Sequence, residues 1–246
     1  HKKLLAIGNL KQPVHAWGEI YTGISAKDYM DGTSNFYGVH SVTLYVDSVQ
    51  VFNSTTDKVL PDENRMINGF TDYEELTRTR RLIMRSYKLP GNRLRLLHTN
   101  ENRGAVTINE ERDYHFRYVL EDNFGNRRTY QFIVKGKRQD IPEYKPEANE
   151  MLYWNRTNVI QKPGMELVVP RYHVYENVPL RTDMRGDSSR IAFDYILDAG
   201  RTPIHSYCDL SIGLRHMPVA DTTKYYIVQK AGKWRSSMGG KYANGW

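Results

Sequence analysis

Residues 114–120 read YHFRYVL and residues 129–134 read TYQFIV, with EDNFGN between them. Tyr114, Phe116, Tyr118 and Leu120 recur at every second position, and so do Tyr130, Phe132 and Val134. Successive side chains on a strand point to opposite faces, so a period of two marks a strand with one buried face. Asp122, Asn123, Gly125 and Asn126 tolerate the positive φ of a tight turn. The segment therefore predicts a β-hairpin. SVTLYV at 41–46 and VQVFNS at 49–54 repeat the pattern, with Asp47-Ser48 as the turn.

Between these pairs lies the one helical candidate, over 72–87. Tyr73, Leu76, Ile83 and Tyr87 fall on a helical stripe that Arg80 interrupts. Asp72 is the expected N-cap, with Glu75 three residues on in a capping-box arrangement. Glu74 and Arg78 form an i,i+4 pair. Leu89-Pro90-Gly91-Asn92 ends the segment. LRLL at 94–97 and AVTI at 105–108 read as short strands.

KGKRQDIPEYKPEANE, 135–150, carries Pro142, Pro146 and many charges but almost no apolar residues, which marks a domain boundary. Beyond it, strands are expected at MLYWNRTNVI (151–160), MELVV (165–169), RYHVY (171–175), RIAFDYIL (190–197), CDLSIGLR (208–215) and KYYIVQK (224–230). Pro170, Pro179, Gly186, Gly200, Pro203 and Pro218 supply turn signals between them. Many short strands without alternating helices indicate a sandwich or barrel, not a parallel α/β sheet. The expected fold is all-β: two tandem immunoglobulin-like β-sandwiches, one short helix being inserted in the first near 72–87. The first spans 1–138, a linker 139–147, and the second 148–246, where a closing strand is expected to be missing.

Composition agrees. Tyr 18, Phe 7 and Trp 4 make up 12% of the 246 residues, and such rings suit a pleated, half-buried surface. The longest apolar runs are a few residues, far short of the roughly 20 that a membrane-spanning helix needs. One cysteine, Cys208, excludes an internal disulfide framework. The formal net charge is +7, which favours polyanions in general but also simple solubility. The chain opens HKKLLAIGNL with no recognisable signal peptide, and both ends read as cuts within a longer protein.

Chemistry is sparse. No phosphate loop, GxGxxG or GxSxG occurs, and no two histidines stand two or four residues apart, as an HxH or HExxH site requires. His205 and Asp209 form an H-x-x-x-D pair. On a strand they would lie roughly 13 Å apart, too far to share one ion, so no metal site is expected. Asp28, Asp31 and Asn35 depart from the calcium-loop spacing, and a Gly32-centred turn is the better reading. Cys208 reads as a small core residue. Asn53-Ser-Thr55 and Asn155-Arg-Thr157 match glycosylation sequons, which matter only in a glycosylating pathway. The aromatics alternate inward, unlike an exposed stacking platform, so nucleic acid is not an expected partner. Trp17, Trp154 and Trp234 are the candidate glycan contacts, set against the alternative of burial under a strand; Trp246 is a fourth tryptophan of the same kind.

WGEIYTGISAKDYMDGTSNFYGVHSVTLYVD (17–47), DENRMINGFTDYEE (62–75), PGNRL (90–94) and INEERDYHFRYVLEDNFGN (108–126) resemble the region that follows the catalytic domain in Bacteroidetes lysostaphin-type zinc metalloendopeptidases, which cleave peptidoglycan cross-links. PGMELVVPRYHVYENV (163–178), PIHSYCDLSI (203–212) and GGKYANGW (239–246) extend the resemblance over nearly the whole chain. It implies a non-catalytic C-terminal region in the periplasm, cell envelope or secreted space. The peptidase, with its zinc, would lie upstream of His1 and be a partner of this chain. The family's catalytic H-x-x-x-D and HxH have no counterpart here, since His205 and Asp209 lack the accompanying glycine and lie in the wrong region. No catalytic residue and no cofactor are therefore expected in this chain. Three roles follow: an accessory region that positions the peptidase or binds the wall polymer, a glycan-binding or adhesive module, and a passive spacer.

Overall fold

The computed structural model describes residues 14–29, 36–187 and 189–246, apart from the side chains of Phe36 and Tyr37. It is mostly strands with few helices. Contacts divide it into His1–Lys145 with Arg201–His205, and Pro146–Gly200 with Ser206–Trp246.

The first unit contains β1 (Val14–Ala16), β2 (Gly18–Ile20), β3 (Gly23–Ile24), β4 (Asp28–Tyr29), β5 (Phe36–Tyr37), β6 (Ser41–Val46) and β7 (Val49–Thr55). A 3-10 turn at Pro61–Met66 and the helices α1 (Ile67–Phe70) and α2 (Tyr73–Thr79) follow. Then come β8 (Met84–Arg85), β9 (Leu97–Thr99), β10 (Val106–Ile108), β11 (Asp113–Glu121) and β12 (Arg127–Gly136). Six of these strands form the main sheet, in the order β1-β12-β11-β6-β7-β9.

Both hairpins read from the alternation are present. Tyr114 pairs with Val134, Phe116 with Phe132 and Tyr118 with Tyr130. On the buried face Tyr114, Phe116, Tyr118 and Val134 join Val42, Leu44 and Val46 of β6, while Ile133 on the opposite face is exposed. β6 and β7 turn at Asp47 and Ser48, which take φ of 48° and 71°, as a tight two-residue hairpin requires. Phe52, Leu94 and Ile108 are fully buried as well. Burying each such side chain is worth about 1.5–3 kcal/mol.

The helical segment is shorter than the 72–87 expected. Asp72 does cap it, accepting from the Glu75 N–H at 3.2 Å. Arg80, at φ 65° in the left-handed region, stops it one residue past Thr79. Ile83 and Tyr87 are thus not on the helix. Arg78 pairs with Glu75 and not with Glu74. Of LRLL and AVTI, the first contributes only Leu97 to a strand, and the second supplies β10.

Residues 137–149 contain no regular structure. The second unit holds β13 (Glu150–Leu152), β14 (Asn158–Lys162), β15 (Met165–Val169), β16 (Val178–Arg185), β17 (Asp194–Asp198), β18 (Asp209–Ile212), β19 (Ile227–Ala231) and β20 (Trp234–Gly239). They form three small sheets: β13-β16-β17, β14-β15-β18 and β19-β20. Leu152, Ile160, Val169, Val174, Val178 and Leu180 make its core, with Trp154, Leu167 and Cys208 packed against them. The expected strand at 151–160 is two strands separated by a turn. RYHVY at 171–175 is a turn, although Val174 and Tyr175 are buried in it.

Candidate functional site

The groups with perturbed proton affinity are each held by near neighbours in the fold. Glu63 is a buried residue of the 3-10 turn, and Arg95 grips it through Nε to Oε1 at 2.7 Å and Nη2 to Oε2 at 3.0 Å. Those bonds, with one from the Leu60 N–H, hold its carboxyl down at about 2. Glu75 is lowered too, first by the Thr79 hydroxyl and then by Arg78. Tyr118 is pushed up to about 12 by burial, although its hydroxyl meets Ser86 at 2.7 Å and Thr22 at 2.8 Å. Burial works to raise Asp47, but the His115 N–H at 2.9 Å and Arg112 at 2.7 Å outweigh it and leave its carboxyl below the ordinary value. These are braces on turns, a helix end and a sheet face. A surface cleft of the first unit, lined by Thr55, Asp57, Lys58, Arg95 and His98, measures about 530 Å³.

The residues singled out in the sequence scatter. His205 is grouped with the first unit, whereas Asp209 opens β18 in the second. Asp28 begins β4; Asp31, Gly32 and Asn35 lie outside the described residues. Cys208 is half-buried against the second core, and burial raises its thiol pKa. Asn53 is half-buried on β7, where its Nδ2 donates to Thr43 Oγ1 at 2.9 Å, whereas Asn155 sits exposed in a turn. Among the described residues, no three of His, Cys, Asp or Glu gather as a metal site would require. No helix among them is long and apolar enough to cross a membrane.

The three tryptophans named as glycan contacts differ in placement. Trp17 is half-buried between β1 and β2. Trp154 packs on the second core, its ring 6.0 Å from that of Tyr172 and its carbonyl accepting the Tyr172 N–H at 2.9 Å. Trp234 alone of the three is presented outward, at 72% exposure on the β19-β20 hairpin. Trp246 is 47% exposed and lies against Gly213 at the end of the β14-β15-β18 sheet.

That hairpin is built by local chemistry. Gly232, at φ 61°, and Lys233 form its two-residue turn, where glycine at the first central position removes the steric cost. Ala231 pairs with Trp234 and Gln229 with Ser236, so these four share a face. Lys230 and Arg235 pair on the other. Lys230 reaches Asp194 of β17 at 2.9 Å, and that bond helps pull the Asp194 carboxyl below its ordinary value. Met238, the extra residue where the register shifts, and Tyr226, just before β19, are each 60% exposed.

The charge here is one-sided. From Thr222 to Trp246 the chain has five Lys or Arg and no Asp or Glu. Residues 151–221 hold equal numbers of both signs, so this stretch contains the whole cationic excess of the second half. Totals taken over each half hide it; a running count of carboxylates would have found it. Lys224 pairs with Asp221 at 3.7 Å. Lys233, Arg235 and Lys241 have no carboxylate partner among the described residues.

Comparison with curated proteins finds no match, and neither does comparison with solved structures. Over residues 149–246 the chain is similar to the Zu5-like domain, whose family model matches that stretch.

Proposed function

We propose that this chain is the non-catalytic accessory region of a secreted cell-envelope peptidoglycan metalloendopeptidase, and that it positions the peptidase domain lying upstream. Two tandem immunoglobulin-like sandwiches would serve as the framework of such a region. The alternating burial of β6 and β11 and the six-stranded sheet they share support this for the first. The observation that carries the functional reading is the state of the titratable groups. Catalytic sites gather perturbed groups in one cleft. In the first unit Glu63, Glu75, Asp47 and Tyr118 each have their own neighbours, which brace the fold; in the second, Asp187 and Asp194 share the exposed Arg190 on the surface and not within a cleft. The resemblance across 17–47, 62–75 and 108–126 supplies the family context; fold class by itself does not.

The test compares the full-length protein with a version cut after residue 147, assayed on purified cross-linked murein. The expected result is that removing 148–246 lowers turnover while the folded peptidase domain keeps its zinc. Digestion of murein by the present chain alone overturns the accessory reading. Unchanged turnover overturns the positioning role and leaves a spacer.

A further inference from the structure

We propose that the β19-β20 hairpin is a peripheral docking surface for an anionic lipid bilayer. Its basis is independent of the accessory reading. Lys230 ties one face of the hairpin to Asp194, and the opposite face, with Trp234 and Ala231 paired across it, is turned outward. Trp234 is 72% exposed and Met238 60%.

Charge complementarity selects the occupant. Lys233 stands in the hairpin turn next to Trp234, Arg235 follows it on the other face, Lys241 lies two residues past β20, and the stretch from Thr222 to Trp246 contains no carboxylate side chain. A surface of this kind attracts anions and repels cations over about a Debye length. The apolar groups then choose among polyanions. Nucleic acids and sugar polymers are gripped by rings stacked on flat faces. In this stretch the rings of Tyr225 and Tyr242 are tilted by 38° and half-buried, and neither is paired with Trp234 in the hairpin register. A single tryptophan with an aliphatic Met and flanking cations instead matches the headgroup boundary of a bilayer. There indole rings settle at the interface, and lysines and arginines reach phosphates.

The test is co-sedimentation of the whole chain with vesicles of equimolar phosphatidylcholine and phosphatidylglycerol, with pure phosphatidylcholine vesicles alongside. Binding is expected to the anionic vesicles alone and to weaken with added salt. The combined Lys233→Glu, Arg235→Glu and Lys241→Glu variant should bind at least roughly tenfold less, as expected when several interfacial cations are lost. These side chains are exposed, and an unchanged far-UV circular dichroism spectrum would confirm that the variant is folded. Brominated lipids should quench the tryptophan fluorescence of the wild type, and Trp234→Phe should abolish that quenching. Equal binding by the charge variant, equal binding to neutral vesicles, or quenching that survives Trp234→Phe would each overturn the assignment. So would retention on an anionic polysaccharide without any on vesicles.

Discussion

Ser48 sits at φ 71° beside Asp47 at 48°, a conformation that costs a non-glycine residue roughly 1–2 kcal/mol. Asp47 is repaid, because its carboxylate accepts from the His115 N–H and from Arg112. Ser48 makes no such bond among the described residues, so Ser48→Gly is expected to stabilise the protein by up to about 1 kcal/mol, less what glycine costs in unfolded-state entropy. A urea midpoint that moves down would contradict this account of the turn. Glu63 gives a pH test. Its folded carboxyl lies at about 2 against an ordinary 4.5. A depressed carboxylate contributes stability above its unfolded value and loses it as pH falls toward the folded one. The thermal midpoint should therefore fall between about pH 5 and pH 2, and Glu63→Gln should flatten that decline while lowering the midpoint at neutral pH. Parallel curves for the two proteins would show that the Arg95 pairing contributes nothing to acid sensitivity.

At the level of elements, legibility tracked the contrast between faces. The pairings Tyr114 with Val134 and Phe116 with Phe132 could be read directly, because ring and aliphatic side chains alternate with Arg, Gln and His. Asp72 could be read as a cap for the same reason: only one side chain there can accept the Glu75 N–H. β16 was hidden by Pro179, which reads as a breaker. In the structure only β13 lies alongside at Pro179, since β17 pairs from Arg181 onward, so the missing N–H costs the second ladder nothing. β20 was hidden because WRSSMG holds two large apolar groups, both turned to solvent. The end of α2 depends on a non-glycine residue, Arg80, adopting left-handed φ, and no composition rule forecasts that. Gly136 is a further hidden constraint. A Cβ there would overlap the Glu110 carbonyl oxygen, and the glycine N–H already donates to the Arg112 carbonyl at 2.8 Å. Gly136→Ala should force β12 away from the 110–112 turn and cost about 1–3 kcal/mol, visible as a lower urea midpoint with an unchanged slope. No change would mean that the turn yields freely.

At the scale of the whole molecule, the all-β class followed from periodicity, whereas the candidate surface did not. Trp234 was named from its residue type, and the carboxylate-free stretch around it is countable in the sequence, but its exposure and its partner Ala231 emerge only when the hairpin register is known. The break between the two sets of strands was carried by composition alone: two prolines, many charges and few apolar groups. Residues 137–149 have no regular structure and are largely exposed, and exposed segments of this kind are where proteases cut first. Lys137 donates its N–H to the Ala16 carbonyl at 3.0 Å, whereas the Arg138 N–H has only a longer, exposed bond to a Glu111 carboxylate oxygen at 3.3 Å, so early tryptic cleavage is expected at Arg138, with Lys145 disfavoured by the following Pro146. By contrast, Arg117 lies mid-strand in β11, paired on both sides with Gln131 and Tyr45, and should be cut only after unfolding. Brief digestion followed by intact-mass measurement should therefore yield a fragment ending at or near Arg138 and its complement. If the first products instead end at Arg117 or at other lysines and arginines inside β6 to β12, the main sheet opens more readily than the segment that follows it, and that segment is no boundary.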